Sequence, residues 1–379
     1  MRIAQVAPLY ESVPPKFYGG TERVISYLTE ELVRLGHEVT LFASCDSRTS
    51  ARLQSGLPVA LRLNHCVDPI APHLVMFEKL FSMIEDYDLV HFHTDYWHYP
   101  IARRYAFNHV TTLHGRLDIP ELPALYQEFS EVPLVSISDA QRRPLPWANW
   151  QATVYHGLPL DLYAFEPRRG DYLAFLGRLS PEKRIDRAVE IARRFGMKLR
   201  VAAKIDTHDD AYLRTVRDLL KDPCLEFIGE VAGREKEDLL AHAYALLFPI
   251  DWPEPFGLVM IESLACGTPV VAFRNGSVPE IIDNARTGFI VDTIDQALDA
   301  LTMIPSLERH DCRQDFESRF SASRMTKDYL RVYERLLGAN SVGSWAGQAH
   351  LPHRRTTRST RVRSRPIAVA VKEARPASS

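Results

Sequence analysis

A strand–helix alternation that runs once, breaks off at a charged linker and starts again constrains this 379-residue chain more than any single residue. Residues 2–8 read as a short apolar strand, 10–18 as a proline-rich loop, and Gly19-Gly20-Thr21 as the entry to a helix. That helix carries Val24, Ile25, Leu28, Leu32 and Leu35 as one apolar stripe and stops at Gly36. Further strands are expected at 39–42, 89–93, 110–113, 134–137 and 153–156. After the apolar-poor segment 166–170 the pattern restarts, with strands at 172–177, 199–203, 225–228, 245–249, 270–273 and 289–291. Helices are expected at 184–195, 212–220, 236–243 and from 258 onward. A last helix over 323–337 carries Met325, Tyr329, Val332, Tyr333 and Leu336 at helical spacing. The fold class is therefore α/β, with two Rossmann-like domains (1–166 and 171–320), a final helix (321–337) and a tail (338–379). Each sheet is parallel with helices on both faces. The strand C-termini face a central cleft, where ligands of such sheets bind.

Composition sets the broad class. The chain is 46% apolar and 25% charged, which suits a globular enzyme and neither a disordered nor a membrane-spanning chain. It opens directly into a strand, so no signal peptide is expected. Five scattered cysteines (Cys45, Cys66, Cys224, Cys266, Cys312) form no CxxC pair. That usage points to a reducing cytoplasm and away from structural zinc. The formal net charge of −2 conceals an asymmetry. From Gly338 onward, seven arginines and Lys372 face only Glu373, and the tail lacks apolar periodicity. A disordered, solvated tail is the plain reading. Weak contact with an anionic membrane surface is the sharper one, which would make the protein peripheral at the inner membrane face. No nucleic-acid partner is expected.

The run Glu254-Pro-Phe-Gly-Leu-Val-Met-Ile-Glu262 carries the strongest chemical signal. Pro253 and Pro255 stiffen a turn around Glu254, Gly257 permits close backbone approach, and Leu258 opens a helix. A helix mouth binds anions such as phosphate, while carboxylates suit the hydroxyls of a sugar or ribose. Acids decorating a solvated helix start is the bland alternative. Upstream, Gly177-Arg178 and Lys183 follow a strand end. There a forked guanidinium and a compact ammonium suit a diphosphate. Gly19-Gly20 permits close approach to a phosphate at a second strand-to-helix turn, though no GxGxxG fingerprint is present. His114 follows the 110–113 strand and precedes Gly115, which places it at the cleft for a sugar hydroxyl or developing phosphate charge. His91 and His93 alternate along a strand and are expected to point to opposite faces, a poor geometry for one metal. Asp139 follows a strand end and either caps a helix or borders the acceptor.

Taken together, these residues resemble the retaining glycosyltransferases of family 4, a group with the GT-B fold. The resemblance runs to about Leu337 and is strongest from Phe175 to Val291. It rests on Glu254 and Glu262 as a Glu-x7-Glu signature, on Gly177-Arg178 with Lys183, on Gly19-Gly20 and on His114. The family usually carries Asn-Gly where this chain has His156-Gly157, so no contact is assigned to position 156. The resemblance implies that Arg178 and Lys183 neutralise the donor diphosphate and that Glu262 holds ribose hydroxyls. It implies that Glu254 and His114 contact the transferred sugar, the catalytic positions. Backbone N–H groups of Phe256, Gly257 and Leu258 would lie close to sugar and phosphate, and Gly20 would close on the β-phosphate. It further implies no metal, no cofactor beyond a UDP- or GDP-linked donor sugar, and a terminal helix that crosses back onto the first domain. The lobes would close about a hinge near 166–170. Two alternatives share the scaffold: a nucleotide-sugar 2-epimerase and a non-catalytic nucleotide-sugar-binding protein. A carbohydrate or lipid-linked acceptor is expected. The aromatic runs 96–99 and 144–150 would suit stacking on a sugar or lining a lipid groove, and equally satellite core.

Overall fold

The computed structural model describes residues 1–16, 19–64, 66–204 and 210–342. The tail is expected from 338, but the terminal helix continues through Val342. The rest of it, 343–379, lies outside these residues, and so does the membrane contact expected of it.

Seven strands form the first sheet: β1 (Arg2–Val6), β2 (Glu38–Phe42), β3 (Arg52–Gln54), β4 (Leu89–Phe92), β5 (His109–Thr112), β6 (Leu134–Ser136) and β7 (Trp150–Thr153). They lie in the order β3-β2-β1-β4-β5-β6-β7, all parallel. The second sheet contains β8 (Tyr172–Arg178), β9 (Lys198–Lys204), β10 (Leu225–Gly229), β11 (Ala245–Phe248), β12 (Val270–Phe273) and β13 (Gly288–Val291). Its order is β10-β9-β8-β11-β12-β13, again parallel. The order reverses once in each sheet, between β1 and β4 and between β8 and β11. Loops leaving those strands diverge to opposite faces and open a crevice at their C-terminal ends. His93 follows β4, Arg178 ends β8, and the Glu254 loop follows β11.

The terminal helix, Ala322–Val342, crosses back onto the first domain. Its stripe of Met325, Tyr329, Val332 and Tyr333 is fully buried against Ile3, Val24, Leu28, Leu89 and Val110. The first sheet would otherwise leave that apolar face in water. Chain segments 157–158 and 320–322 pass between the domains side by side. Leu158 N–H donates to Phe320 O (2.8 Å) and Ala322 N–H donates to Leu158 O (2.7 Å).

Several sequence expectations need correction. The seventh strand is Trp150–Thr153, not 153–156. Its register against β6 ends at Ser136↔Thr153; beyond it Val154 packs into the first-domain core and His156 reaches the cleft. The short edge strand Arg52–Gln54 was not expected. The helix expected at 212–220 ends at Val216, and Leu219–Lys221 forms a separate 3-10 turn. His91 and His93 do not point to opposite faces. Residues two apart in a strand share a face, and their rings lie 4.0 Å apart. The hinge expected at 166–170 is fastened to the second domain. Glu166 N–H donates to Cys266 O (3.1 Å), and the Arg309 guanidinium donates to Glu166 O (2.7 Å).

Candidate active site

The second domain builds one wall of the cleft from two loops. At the end of β8, Arg178 donates to the Glu182 carboxylate at 3.0 Å. Lys183 follows in a 3-10 turn and pairs with the Glu254 carboxylate. Trp252 Nε1–H donates to the same carboxylate at 2.8 Å, and the Lys183 ammonium lies 5.0 Å from the Trp252 ring centre. The two cations therefore do not stand free above the strand end; each is held by an acid. The Glu254 loop is tied down on both sides. Ser277 N–H donates to Glu254 O (3.0 Å), and Ser277 Oγ–H donates to Phe256 O (2.7 Å). From the first domain, Ser138 Oγ–H donates to Pro255 O at 2.6 Å.

Gly257 adopts φ 81°, the left-handed region, and a Cβ there would meet Met260 at 2.8 Å. It caps the Leu258–Ala265 helix, where Met260 N–H donates to Gly257 O (3.0 Å) and helix geometry offers Leu258 and Val259 N–H no intrahelical acceptor. Glu262 sits about one turn inside that helix. Its carboxylate accepts from Lys236 Nζ at 2.5 Å and from Tyr163 Oη at 3.3 Å. Lys236 is 9% exposed and Glu262 4%. Such a buried charge is tolerated only as a pair. Sequence reasoning missed Lys236, because the signal lies in a helix partner 26 positions away, not in local spacing.

The first domain supplies the opposite wall. Gly20 opens the Gly20–Arg34 helix, and a Cβ there would lie 3.3 Å from Leu258 Cδ1 across the cleft. His114 leaves β5 and hydrogen-bonds His93 at 2.9 Å. Its ring stacks against His156, with centres 5.4 Å apart. Burial pushes the His114 imidazole down to about 3 and holds His93 and His156 well below the ordinary histidine range. All three are neutral near pH 7. Glu22, on the same wall, is pushed up to about 7 by burial. Asp95, also in the cleft, takes φ 48°, an unusual backbone for a residue with a side chain. His93, His156, Glu22 and Asp95 were not among the expected contacts.

Asp139 is not the helix cap. Ser138 takes that role, its Oγ accepting from Gln141 N–H at 3.0 Å. Asp139 N–H instead donates to Glu280 of the second domain at 2.7 Å, joining the two walls.

The walls enclose a cavity of about 490 Å³, a volume typical of small-molecule sites. Arg178, Lys183, Glu254, Phe256, Gly257, Leu258 and Glu262 line it from one side, Gly20 and His114 from the other. Among the described residues, no group of three or more His, Cys, Asp or Glu is placed to hold a metal ion. Nor is any helix there long and apolar enough to cross a membrane.

Two family models match the chain: "Glycosyltransferase Family 4" over residues 18–157 and "Glycosyl transferases group 1" over 165–317. A phosphatidyl-myo-inositol mannosyltransferase of Mycolicibacterium smegmatis is 25% identical, over 92% of this chain and 98% of its own length. A D-inositol 3-phosphate glycosyltransferase of Corynebacterium kroppenstedtii is 38% identical over 128 residues, 31% of this chain and 28% of that protein. Among solved structures, AviGT4, a glycosyltransferase involved in avilamycin A biosynthesis, superposes with a TM-score of 0.70 at 25% identity. That match covers 89% of this chain and 98% of AviGT4. HepE of Anabaena, solved with UDP-glucose, superposes with a TM-score of 0.66 at 17% identity, over 88% and 100% of the two chains, a likeness of fold.

Proposed function

This chain belongs to the family 4 type of GT-B glycosyltransferases, a hexosyltransferase-type enzyme, and from that premise we propose its reaction. It moves a sugar from a nucleoside diphosphate, UDP or GDP, to a carbohydrate or lipid-linked acceptor, with retention at the anomeric carbon and without a metal ion. One observation carries the reading. Arg178, two Lys–Glu pairs, a helix mouth and a neutral histidine converge on a single cleft where both sheets reverse their strand order.

Each part has a task. Arg178 and Lys183 neutralise the diphosphate, which makes it a better leaving group without Lewis-acid help. The arriving phosphate competes with Glu254 for Lys183. As it wins, the freed carboxylate turns to the hydroxyls of the sugar, so donor binding itself arms Glu254. Lys236 holds the Glu262 carboxylate in place for the ribose hydroxyls. Backbone N–H groups of Phe256, Gly257 and Leu258 at the helix mouth meet phosphate and sugar oxygens, and Gly20 lets the opposing loop approach the β-phosphate. His114 contacts the sugar near the reaction centre. Retention follows if the acceptor hydroxyl attacks from the side the diphosphate leaves and its proton passes to a departing phosphate oxygen. Glu254, turned to the sugar hydroxyls, is not assigned as a nucleophile. Weak membrane-surface contact through the basic tail remains part of the proposal for a lipid-linked acceptor.

A thermal-shift screen with UDP-glucose, GDP-mannose and ADP-glucose tests the donor. A true donor at a hundred times its Kd stabilises by about 2.7 kcal/mol, and EDTA leaves both the shift and the turnover unchanged. Release of an epimerised nucleotide sugar in the absence of acceptor would replace this reading with that of a 2-epimerase.

A further inference from the structure

A chain of buried hydrogen bonds runs from the cleft through the first sheet to the terminal helix. His114 Nε2 lies 2.9 Å from His93 Nδ1, and His93 Nε2 lies 2.9 Å from Gln5 Oε1. Gln5 Nε2–H donates to Tyr333 Oη at 3.2 Å, and Tyr333 Oη lies 2.7 Å from His91 Nδ1. His91 Nε2 reaches Thr112 Oγ1 at 2.7 Å. Gln5, His91 and Tyr333 are completely buried and His93 nearly so. Burial keeps the imidazoles neutral, so each carries one N–H and one bare nitrogen.

The protons of such a chain are not independent. Gln5 Oε1 can only accept, so the proton of His93 must sit on Nε2. His93 Nδ1 is then bare and accepts from His114 Nε2–H. That leaves His114 Nδ1 bare, and this atom is buried in the cleft wall with no hydrogen-bond partner among the described residues. At the far end the amide N–H donates to Tyr333, whose own proton goes to His91 Nδ1. Rotating the Gln5 amide by half a turn would reverse every link and place an N–H at His114 Nδ1. A buried donor without an acceptor is rarer and costlier than an unfilled lone pair, which favours the first polarity in the empty enzyme.

We propose that Gln5, anchored by Tyr333 of the terminal helix, sets the tautomer of His114 through His93, so that His114 presents a bare Nδ1 that accepts a hydrogen bond from a hydroxyl of the bound sugar. Gln5, His93 and Tyr333 are positioning residues; of these four, His114 alone touches substrate. The inference rests on the sugar-transfer reading only for the identity of the hydroxyl. It also excludes one role for His114: a bare nitrogen cannot donate to developing phosphate charge.

Long-range ¹H–¹⁵N correlation spectra of the ¹⁵N-histidine-labelled full chain, recorded without substrate, read the tautomer directly. The wild-type spectrum is expected to show a proton on His114 Nε2 and none on Nδ1. Gln5→Leu and the milder Tyr333→Phe are each expected to give a tautomer mixture at His114 in a folded protein. In transfer assays with the donor identified by thermal shift, kcat falls roughly three- to tenfold in each variant, the weight of a lost neutral hydrogen bond, while KM for the donor changes little. In a His114→Ala background, Tyr333→Phe adds nothing further. A proton on Nδ1 in the wild type overturns the proposal, as does a tautomer unchanged by both variants. The expected spectra together with no use of any sugar nucleotide would uphold the relay and sink the transfer reading alone.

Discussion

Two buried lysine–glutamate pairs define the cleft's chemistry, and they differ in how visible they were. Glu254 and Glu262 stand out because their spacing and the prolines and glycine around them mark a loop entering a helix. Lys183 was visible for the same reason, being local to a strand end. Lys236 was not, because its partnership with Glu262 spans two helices, and periodicity reports a face without naming what covers it. The Lys236–Glu262 pair also allows a sharp prediction. Lys236→Met leaves a carboxylate 4% exposed without its hydrogen-bonded cation, with Arg23 left as the more loosely coupled cation facing it, and is expected to cost roughly 3 kcal/mol in urea unfolding. Adding Glu262→Met should recover much of that loss without restoring donor binding. A single variant as stable as the wild type would show that the pair contributes little. Gly276 acts on the other acid. Its φ is 54°, and a Cβ there would collide with the backbone of Glu254, so Gly276→Ala is expected to displace that carboxylate and abolish donor-induced stabilisation.

Among elements, strands and helices were legible wherever an apolar period ran long enough. The terminal helix is the clearest case, since Met325, Tyr329, Val332 and Tyr333 announce a buried stripe. The seventh strand was misplaced because residues 153–156 are as strand-like as 150–153. Only pairing with β6 distinguishes them. The segment 166–170 read as a linker from its charge, yet it is bound down. Arg309, 5% exposed, donates to the carbonyls of Glu166, Ala241 and Ala243 and to Thr268 Oγ1. Among the described residues, its hydrogen bonds go to backbone carbonyls and a hydroxyl, not to a carboxylate. Arg309→Met leaves those carbonyls buried without a donor, at about 1–3 kcal/mol for each group left unsatisfied. The expected outcome is a lower unfolding midpoint and faster protease cleavage at 166–170. Unaltered cleavage would place the anchoring of that segment elsewhere.

At the scale of the whole molecule, the histidines that build the first domain also set its acid limit. His91, His93, His98, His109, His114 and His156 all have depressed proton affinity through burial, His109 down to about 4 and His114 to about 3. The unfolded chain takes up protons near pH 6.5, where these sites do not. Their stabilisation is therefore complete above pH 6.5 and is lost as pH falls toward about 4 and 3. Glu22, raised to about 7, and Asp95, raised to about 6, work in the opposite direction as pH falls through those values, but they are two groups against six. The melting temperature is expected to fall steadily from pH 6.5 to 4.5. A flat profile over that window would mean that the histidines titrate normally.

The sequence by itself determined the architecture, the two-domain alternation and those cleft residues that sit in local turn and helix-start motifs, because periodicity and turn chemistry are local properties that a linear string preserves. The tertiary structure alone decided which acid each cation holds, which way the histidine protons run, and where the chain crosses between domains. Those depend on distances between residues tens to hundreds of positions apart, and such distances exist only after the sheets have closed around the cleft.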